Sequence, residues 1–334
     1  MTESQAQLLA SLARLGLVSL HDVRIEPLTG GVSSDIFKVT SCGRTMAVKR
    51  ALPKLKVAAE WHAPVERNLY EVAWLEAAGR AIPGAVPKML ASDPQHGLFA
   101  MTYLDPAAHP VWKALLRDGK ADPAFAATVG ERIAEVHAAT AGDSGTAAAF
   151  ATDHIFHPIR LEPYLEATAR KHPALTEPLM RLSRETLATK RALVHGDVSP
   201  KNILEGPQGP IFLDAECAWY GDPGFDLAFC LNHLLLKCLW NRPAAPAFLA
   251  AFDALAGAYL SRVSWEAPGE VEARAARLLP GLFLARIDGK SPVEYVTEES
   301  HRDLVRATAT PLILEPPRTL QDIRRAWSES LRAA

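Results

Sequence analysis

Leu193-Val194-His195-Gly196-Asp197-Val198-Ser199-Pro200-Lys201-Asn202-Ile203-Leu204 is the stretch on which the reading of this 334-residue chain turns. Two short apolar runs of strand character are joined by a polar loop, with Asp197 at the end of the first and Asn202 five residues later. Phosphoryl transfer asks for that pair. The aspartate approaches an acceptor hydroxyl, orients it and takes its proton, while the asparagine amide oxygen ligates a magnesium ion that neutralises phosphate charge. Twelve residues beyond Asn202, Phe212-Leu213-Asp214-Ala215-Glu216 sets a second acidic site after another apolar run. Asn202, Asp214 and Glu216 are therefore the candidate metal ligands and Asp197 the candidate catalytic residue, with His195 as a hydrogen-bonded scaffold for the loop. His-Gly-Asp on its own is weak, because metallophosphatases also use Gly-Asp and a solvated turn would look the same. The joint spacing carries the reading.

Working outward, residues 23–28, 35–40 and 45–49 have strand character and are separated by Gly30-Gly31 and Cys42-Gly43, which predicts an antiparallel meander. Apolar residues at helical spacing over 66–80 predict a helix, and two more strands follow, one ending near 91 and one over 98–104. From Pro123 the pattern is helical over 125–139, 159–170, 177–189, 225–240, 246–259 and 270–286, interrupted by short strands at 192–194, 202–204 and 211–213. The prediction is an α+β bilobal fold of protein-kinase type. An N-terminal antiparallel sheet lobe with one main helix occupies 1–105, and a mostly helical C-terminal lobe with an embedded catalytic hairpin occupies 106–334.

The run His195-Gly196-Asp197 with Asn202, followed by Asp214-Ala215-Glu216, resembles the H-G-D-x-x-x-x-N and D-x-E signature of the aminoglycoside phosphotransferase and choline kinase superfamily. Protein kinases carry H-R-D and D-F-G at these places. Gly196 and Ala215-Glu216 are the forms that resemble the small-molecule branch. Gly221-Asp222-Pro223-Gly224-Phe225-Asp226 also resembles that family, and the resemblance makes Asp226 a buttress for the catalytic loop. Trp219-Tyr220-Gly221-Asp222-Pro223 is similar to the corresponding stretch of 5-methylthioribose kinases. The short path from Glu216 to Asp226 leaves no room for a protein-kinase activation segment, so a small-molecule hydroxyl acceptor is expected, such as a sugar, an amino-alcohol or an aminoglycoside-like compound.

A kinase also needs a site for ATP and Mg2+ in the first lobe. Gly30, Gly31, Ser33 and Ser34 lie between two strands, where backbone N–H groups and hydroxyls can fold over phosphates; the same glycines also suit an ordinary hairpin. Met46-Ala47-Val48-Lys49 resembles the V-A-I-K strand whose lysine pairs with the nucleotide phosphates. Glu71 on the following helix is its expected partner, with Glu66 as fallback. Met101 is expected behind the adenine, and the backbones of Thr102 and Leu104 at its edge. Farther along, Arg286 and Lys290 bracket a glycine, and two readings stand: they contact the transferred phosphate or an anionic substrate group, or they cap helix carbonyls. Glu294, Glu298 and Glu299 could meet a cationic amino-sugar or form a solvated face.

Composition sets the outer bounds. A net charge of −2 with 22% charged residues gives no basic stripe for nucleic acid. Four cysteines without C-x-x-C spacing suit a reducing compartment, and the apolar run near 227–240 is too interrupted to span a membrane. The first helix reads as amphipathic rather than as a targeting peptide, so a soluble cytoplasmic protein is expected. Oligomeric state is left open, a homodimer included. Two readings compete with the kinase: a catalytically silent kinase-like nucleotide-binding module, although no base or metal ligand is missing, and a metallophosphatase, whose Gly-Asn-His element this chain lacks.

Overall fold

The computed structural model describes residues 3–28, 34–52 and 66–334. Helix α1 (Glu3–Arg14) precedes Val23–Leu28 (β1), Ser34–Ser41 (β2), Arg44–Ala51 (β3), Met89–Asp93 (β4) and Leu98–Thr102 (β5). The strands form one sheet in the order β1-β2-β3-β5-β4, every pairing antiparallel. Cys42 and Gly43 both sit at positive φ (49° and 72°), the geometry of a tight two-residue hairpin whose twist matches the flanking strands. One face of the sheet buries Phe37, Val39, Met46 and Val48 under Leu8 and Leu12 of α1, which is what the helical spacing of those leucines is for. Helix α2 (Arg67–Ala81) buries Trp74, Leu75 and Ala78 toward the rest of the molecule.

The remainder is helical: α3 (Trp112–Arg117), α4 (Pro123–Thr140), α5 (Ser144–Ala149), α6 (Asp153–Phe156), α7 (Ala167–Lys171), α8 (Thr176–Ala188), α9 (Gly224–Trp240), α10 (Ala245–Arg262), α11 (Pro268–Asp288), α12 (Glu299–Leu314) and α13 (Leu320–Ala333). Between α6 and α7 the chain continues through His157–Glu166 in the wide π register, so Asp153 to Lys171 is one winding element. Helix α9 is buried on nearly every face, as its almost unbroken apolar sequence requires. Helix α10, with the turn before it, is long and apolar enough by composition to cross a membrane, yet it lies against α4 and α9 with Phe248, Phe252, Leu255 and Tyr259 buried.

Two small antiparallel strand pairs are set into these helices. Ala192–Val194 (β6) pairs with Trp219–Gly221 (β9), and Ile203–Gly206 (β7) pairs with Gly209–Phe212 (β8). The loop 195–202 therefore runs from the β6–β9 pair into the β7–β8 hairpin, and the Leu213 N–H, next to Asp214, donates to the Asn202 carbonyl at 2.9 Å. The sequence reading placed the sheet, α2, the hairpin strands and most long helices. It overlooked α12 and α13, although Thr319 and Asp322 form a reciprocal capping box that is readable as a helix start.

Candidate active site

Gly196 sits at φ +79°, and a Cβ there would lie 2.6 Å from the Cys217 carbonyl oxygen, so the loop turns sharply where only glycine fits. Asp226 holds that turn. Its Oδ2 accepts from the His195 N–H at 2.7 Å and its Oδ1 from the Gly196 N–H at 2.9 Å, while His137 Nε2 donates to Oδ2 at 3.2 Å. The Asp197 N–H donates to His195 Nδ1 at 3.1 Å, so the ring proton is on Nε2, which donates to the Leu213 carbonyl at 3.1 Å. Burial depresses the His195 pKa, keeping the ring neutral. One imidazole thus ties the Asp197 loop to the segment that carries Asp214, and its edge packs on Trp74 of α2 at 4.6 Å between ring centroids.

Asp197 is 4% exposed and meets two cations: Arg160 Nη2 at 2.9 Å and Lys201 Nζ at 3.1 Å from Oδ2. Burial works to raise its pKa, but Lys201 and Arg160 outweigh burial and hold the carboxyl below its usual range. Arg160 Nε also donates to the Gly196 carbonyl. Neither cation figured among the sequence candidates. Lys201 carried a local signal, its i,i+4 spacing from Asp197. Arg160 comes from the π-wound segment, and nothing around it in the sequence marks it.

Asn202 donates through Nδ2 to the Asp197 carbonyl at 3.1 Å, which leaves Oδ1 without a hydrogen bond among the described residues. Asp214 adopts φ +66°, a left-handed conformation uncommon outside glycine. Its Oδ1 contacts Lys49 Nζ directly, and Oδ2 is not hydrogen-bonded among the described residues. Lys49 is 3% exposed and also donates to both oxygens of Glu71, at 2.9 and 2.7 Å. Burial works against its ammonium, but Asp214 and Glu71 outweigh it and keep the proton on. Glu66, the fallback partner, lies instead 3.1 Å from His154. Glu216 is paired with the fully buried Arg67 at 3.0 Å, a third cation absent from the sequence candidates.

Around the expected nucleotide, Gly30, Gly31 and Ser33 lie outside the described residues. Ser34 opens β2 with its hydroxyl buried and without a hydrogen bond among the described residues. Met101 is half-buried near the end of β5. The Thr102 N–H is already used, donating to the Lys88 carbonyl at 2.9 Å, whereas Leu104 makes no backbone hydrogen bond among the described residues. The donor set fits a magnesium nucleotide: an uncommitted amide oxygen, a carboxylate with a free oxygen, an orphaned buried hydroxyl and a buried lysine. Arg286 Nη1 donates to Tyr164 Oη at 3.2 Å and Ser291 Oγ at 3.0 Å, and its Nε is buried without a hydrogen bond among the described residues. Lys290 reaches both oxygens of Glu162 at 2.8 Å, partly exposed.

The chain belongs to the phosphotransferase enzyme family, whose sequence profile matches residues 24–267. It is 27% identical over 267 residues to the methylthioribose kinase of Pectobacterium carotovorum; the match covers 70% of this chain but 64% of that protein, less than two thirds of its length. The fold is shared with a choline/ethanolamine kinase family protein from Mesorhizobium loti (TM-score 0.52, 16% identity, 98% of this chain and 99% of that one). It is shared too with the amicoumacin kinase hAmiN, solved with AMP-PNP, Ca2+ and Ami (TM-score 0.57, 12% identity, 97% and 99%). The bilobal kinase-like fold expected from the sequence is the fold of the molecule.

Proposed function

We propose that this protein is an ATP-dependent kinase that moves the γ-phosphate to a hydroxyl of a small molecule, with residues 1–105 as the nucleotide lobe and 106–334 as the catalytic and acceptor lobe. The observation that carries the proposal is the ion triad of Lys49, Glu71 and Asp214. It joins a sheet strand, the α2 helix and the Asp214 loop directly beside Asp197 and Asn202. Family membership and the methylthioribose kinase relatives support the same reading, with a sugar or an amino-alcohol as the proposed acceptor.

Each residue then has a task. Lys49, held by Glu71, would meet the nucleotide phosphates. Ser34 and the Gly30, Gly31 and Ser33 segment would lie over them, and Leu104 would offer its free backbone groups to the adenine edge, with Met101 behind it. Magnesium bound with the nucleotide would neutralise phosphate charge, with Asn202 Oδ1 and the free oxygen of Asp214 as its ligands and Glu216, restrained by Arg67, nearby. Asp197 orients the acceptor hydroxyl. Because Arg160 and Lys201 hold its pKa low, it is a weak base in the ground state and its first task is alignment. The metallophosphatase reading fares worse, since the neighbours of Asp197 are cations, which would repel a cluster of metal ions.

The test is ADP release with MgATP across a panel of sugars, amino-alcohols and aminoglycosides. Asp197→Asn should lower turnover about 10³-fold while MgATP binding persists. Undiminished turnover would remove Asp197 from the chemistry. MgATP binding with no transfer to any member of the panel would favour the silent module.

A further inference from the structure

Beside Asp197 the helical lobe gathers more positive charge than its own carboxylates answer. Arg160, which holds Asp197, lies over the rings of Tyr164 and of Phe229 on α9. Arg286 lies over the same Tyr164 ring at 5.6 Å. One turn after Phe229 comes His233, 5.5 Å from it ring to ring, and one turn further is Lys237. Helix α3, which brings Lys113, packs against the turn that carries Lys201 and Asn202. Lys113 is paired with Glu294, and Lys201 with Asp197. Arg286 and Lys237 have no carboxylate within 4.0 Å among the described residues, and His233 makes no hydrogen bond there.

Lys237 is the unusual member. It is 1% exposed, its ammonium has no hydrogen bond or ion pair among the described residues, and it rests 4.5 Å from the centroids of the stacked Trp240 and Tyr295 rings. Lysine is almost never fully buried without a partner, because burial strips its hydration, and aromatic faces replace only part of that. Close by, Arg286 Nε and the Tyr295 hydroxyl are buried without a hydrogen bond among the described residues. Burial, with Lys113 and Arg286 adding repulsion and Glu294 opposing it, lowers the Lys237 pKa to about 7. The same cations, with Lys201, hold His233 neutral after burial has pushed its pKa down. Of the three acidic residues that could meet an amino group, two are already paired, Glu294 with Lys113 and Glu299 with Arg302 and Arg306, while exposed Glu298 makes no ion pair among the described residues.

We infer that Lys237, Arg286 and His233 form a subsite for an anionic group of the acceptor, so that the molecule phosphorylated is a hydroxyl compound carrying a carboxylate or a phosphate. The inference rests on the kinase reading and narrows it: polyol acids and sugar phosphates fit, and aminoglycosides and amino-alcohols do not.

The experiment uses the full chain with MgADP and hydroxyl compounds matched in all but charge: glycerol, glycerate, glycerol 3-phosphate and 3-amino-1,2-propanediol, and likewise glucose, gluconate, glucose 6-phosphate and glucosamine. Binding is read by thermal shift, and turnover with MgATP by ADP release. At least one anionic member should bind and turn over more than tenfold better than its neutral and cationic congeners, the carboxylates and phosphates separating the two sources of charge. Lys237→Met should then weaken that binding at least tenfold, leave MgATP affinity as it is, and raise the melting temperature of the ligand-free protein, which a purely structural lysine would lower. A cationic or neutral congener that binds best, no preference for any anion, or unaltered anion binding by Lys237→Met would each overturn the subsite. Those failures with MgATP still bound leave the kinase reading standing, and failure of wild type to bind MgATP overturns both.

Discussion

Two regions flank Asp197 and treat buried charge in opposite ways. On the nucleotide side each charge is answered by another: Lys49 by Glu71 and Asp214, Arg67 by Glu216, Asp226 by two backbone amides and His137. On the acceptor side Lys237 and Arg286 lack a carboxylate partner among the described residues, and the Lys237 ammonium rests on aromatic rings. Buried ion pairs hold geometry whether or not a ligand is present, because removing one member strands the other. Unanswered cations cost stability in the free protein and repay it only when an anion arrives. The first region reads as a prebuilt frame and the second as an incomplete one.

The largest blow to this contrast is Lys49→Met. It strands the Glu71 and Asp214 carboxylates against each other and should cost about 3–5 kcal/mol, read by urea unfolding, with MgATP binding lost as well. A variant as stable as wild type would mean the frame tolerates its own charges unpaired. Asp226→Asn is next. An amide can no longer accept from both the His195 and Gly196 N–H groups, so one buried donor is orphaned at a cost of about 1–3 kcal/mol, and turnover should fall through misplacement of Asp197. Unchanged stability together with unchanged turnover would show that Asp226 does not set the loop.

The smallest effect has the opposite sign and sharpens the contrast. Lys237 titrates near 7 in the folded protein and near its ordinary 10.5 when unfolded. Between those values the unfolded chain binds a proton the folded one lacks, so stability rises with pH in that window. The groups facing Lys237 are Lys113 from α3, Arg286 from α11, Glu294 and Tyr295 from the following loop, and His233 from α9 itself. The melting-temperature advantage of Lys237→Met over wild type should therefore be greatest at pH 7 and shrink toward pH 9. A constant difference would mean that Lys237 stays protonated in the folded state.

What could be read in the sequence follows from how local each requirement is. Asp197, Asn202 and Asp214 were legible because a hairpin-borne site compresses them into fewer than 20 residues at fixed intervals. Lys49 and Glu71 were legible as a strand lysine and the next helix's carboxylate. Arg160 and Arg67 were not, since the first reaches across 36 residues to the Gly196 carbonyl and the second across 149 to Glu216, along paths that only the packed helices define. Lys237 was hidden differently. In sequence it appeared as a polar interruption of an apolar run, and only the burial of every face of α9 turns that interruption into an unpaired charge. Thr102 was selected with Leu104 for adenine, but its N–H is consumed by Lys88, a contact set by the irregular β4–β5 register that no pattern announced.

The π-wound segment His157–Glu166 makes this active site sensitive to chain length as well as to side-chain identity. A π turn holds one residue more than the α-helical turn it replaces, and each residue of an α-helix advances about 100° around the axis. Deleting a single amino acid there would let the helix relax into regular winding. It would also swing either Arg160 off Asp197 or Glu162 off Lys290, depending on which flank stays anchored. The bulge works as a phase adjuster between two ends of one rod, so a one-residue deletion in this segment should be tolerated by the fold and resented by the chemistry.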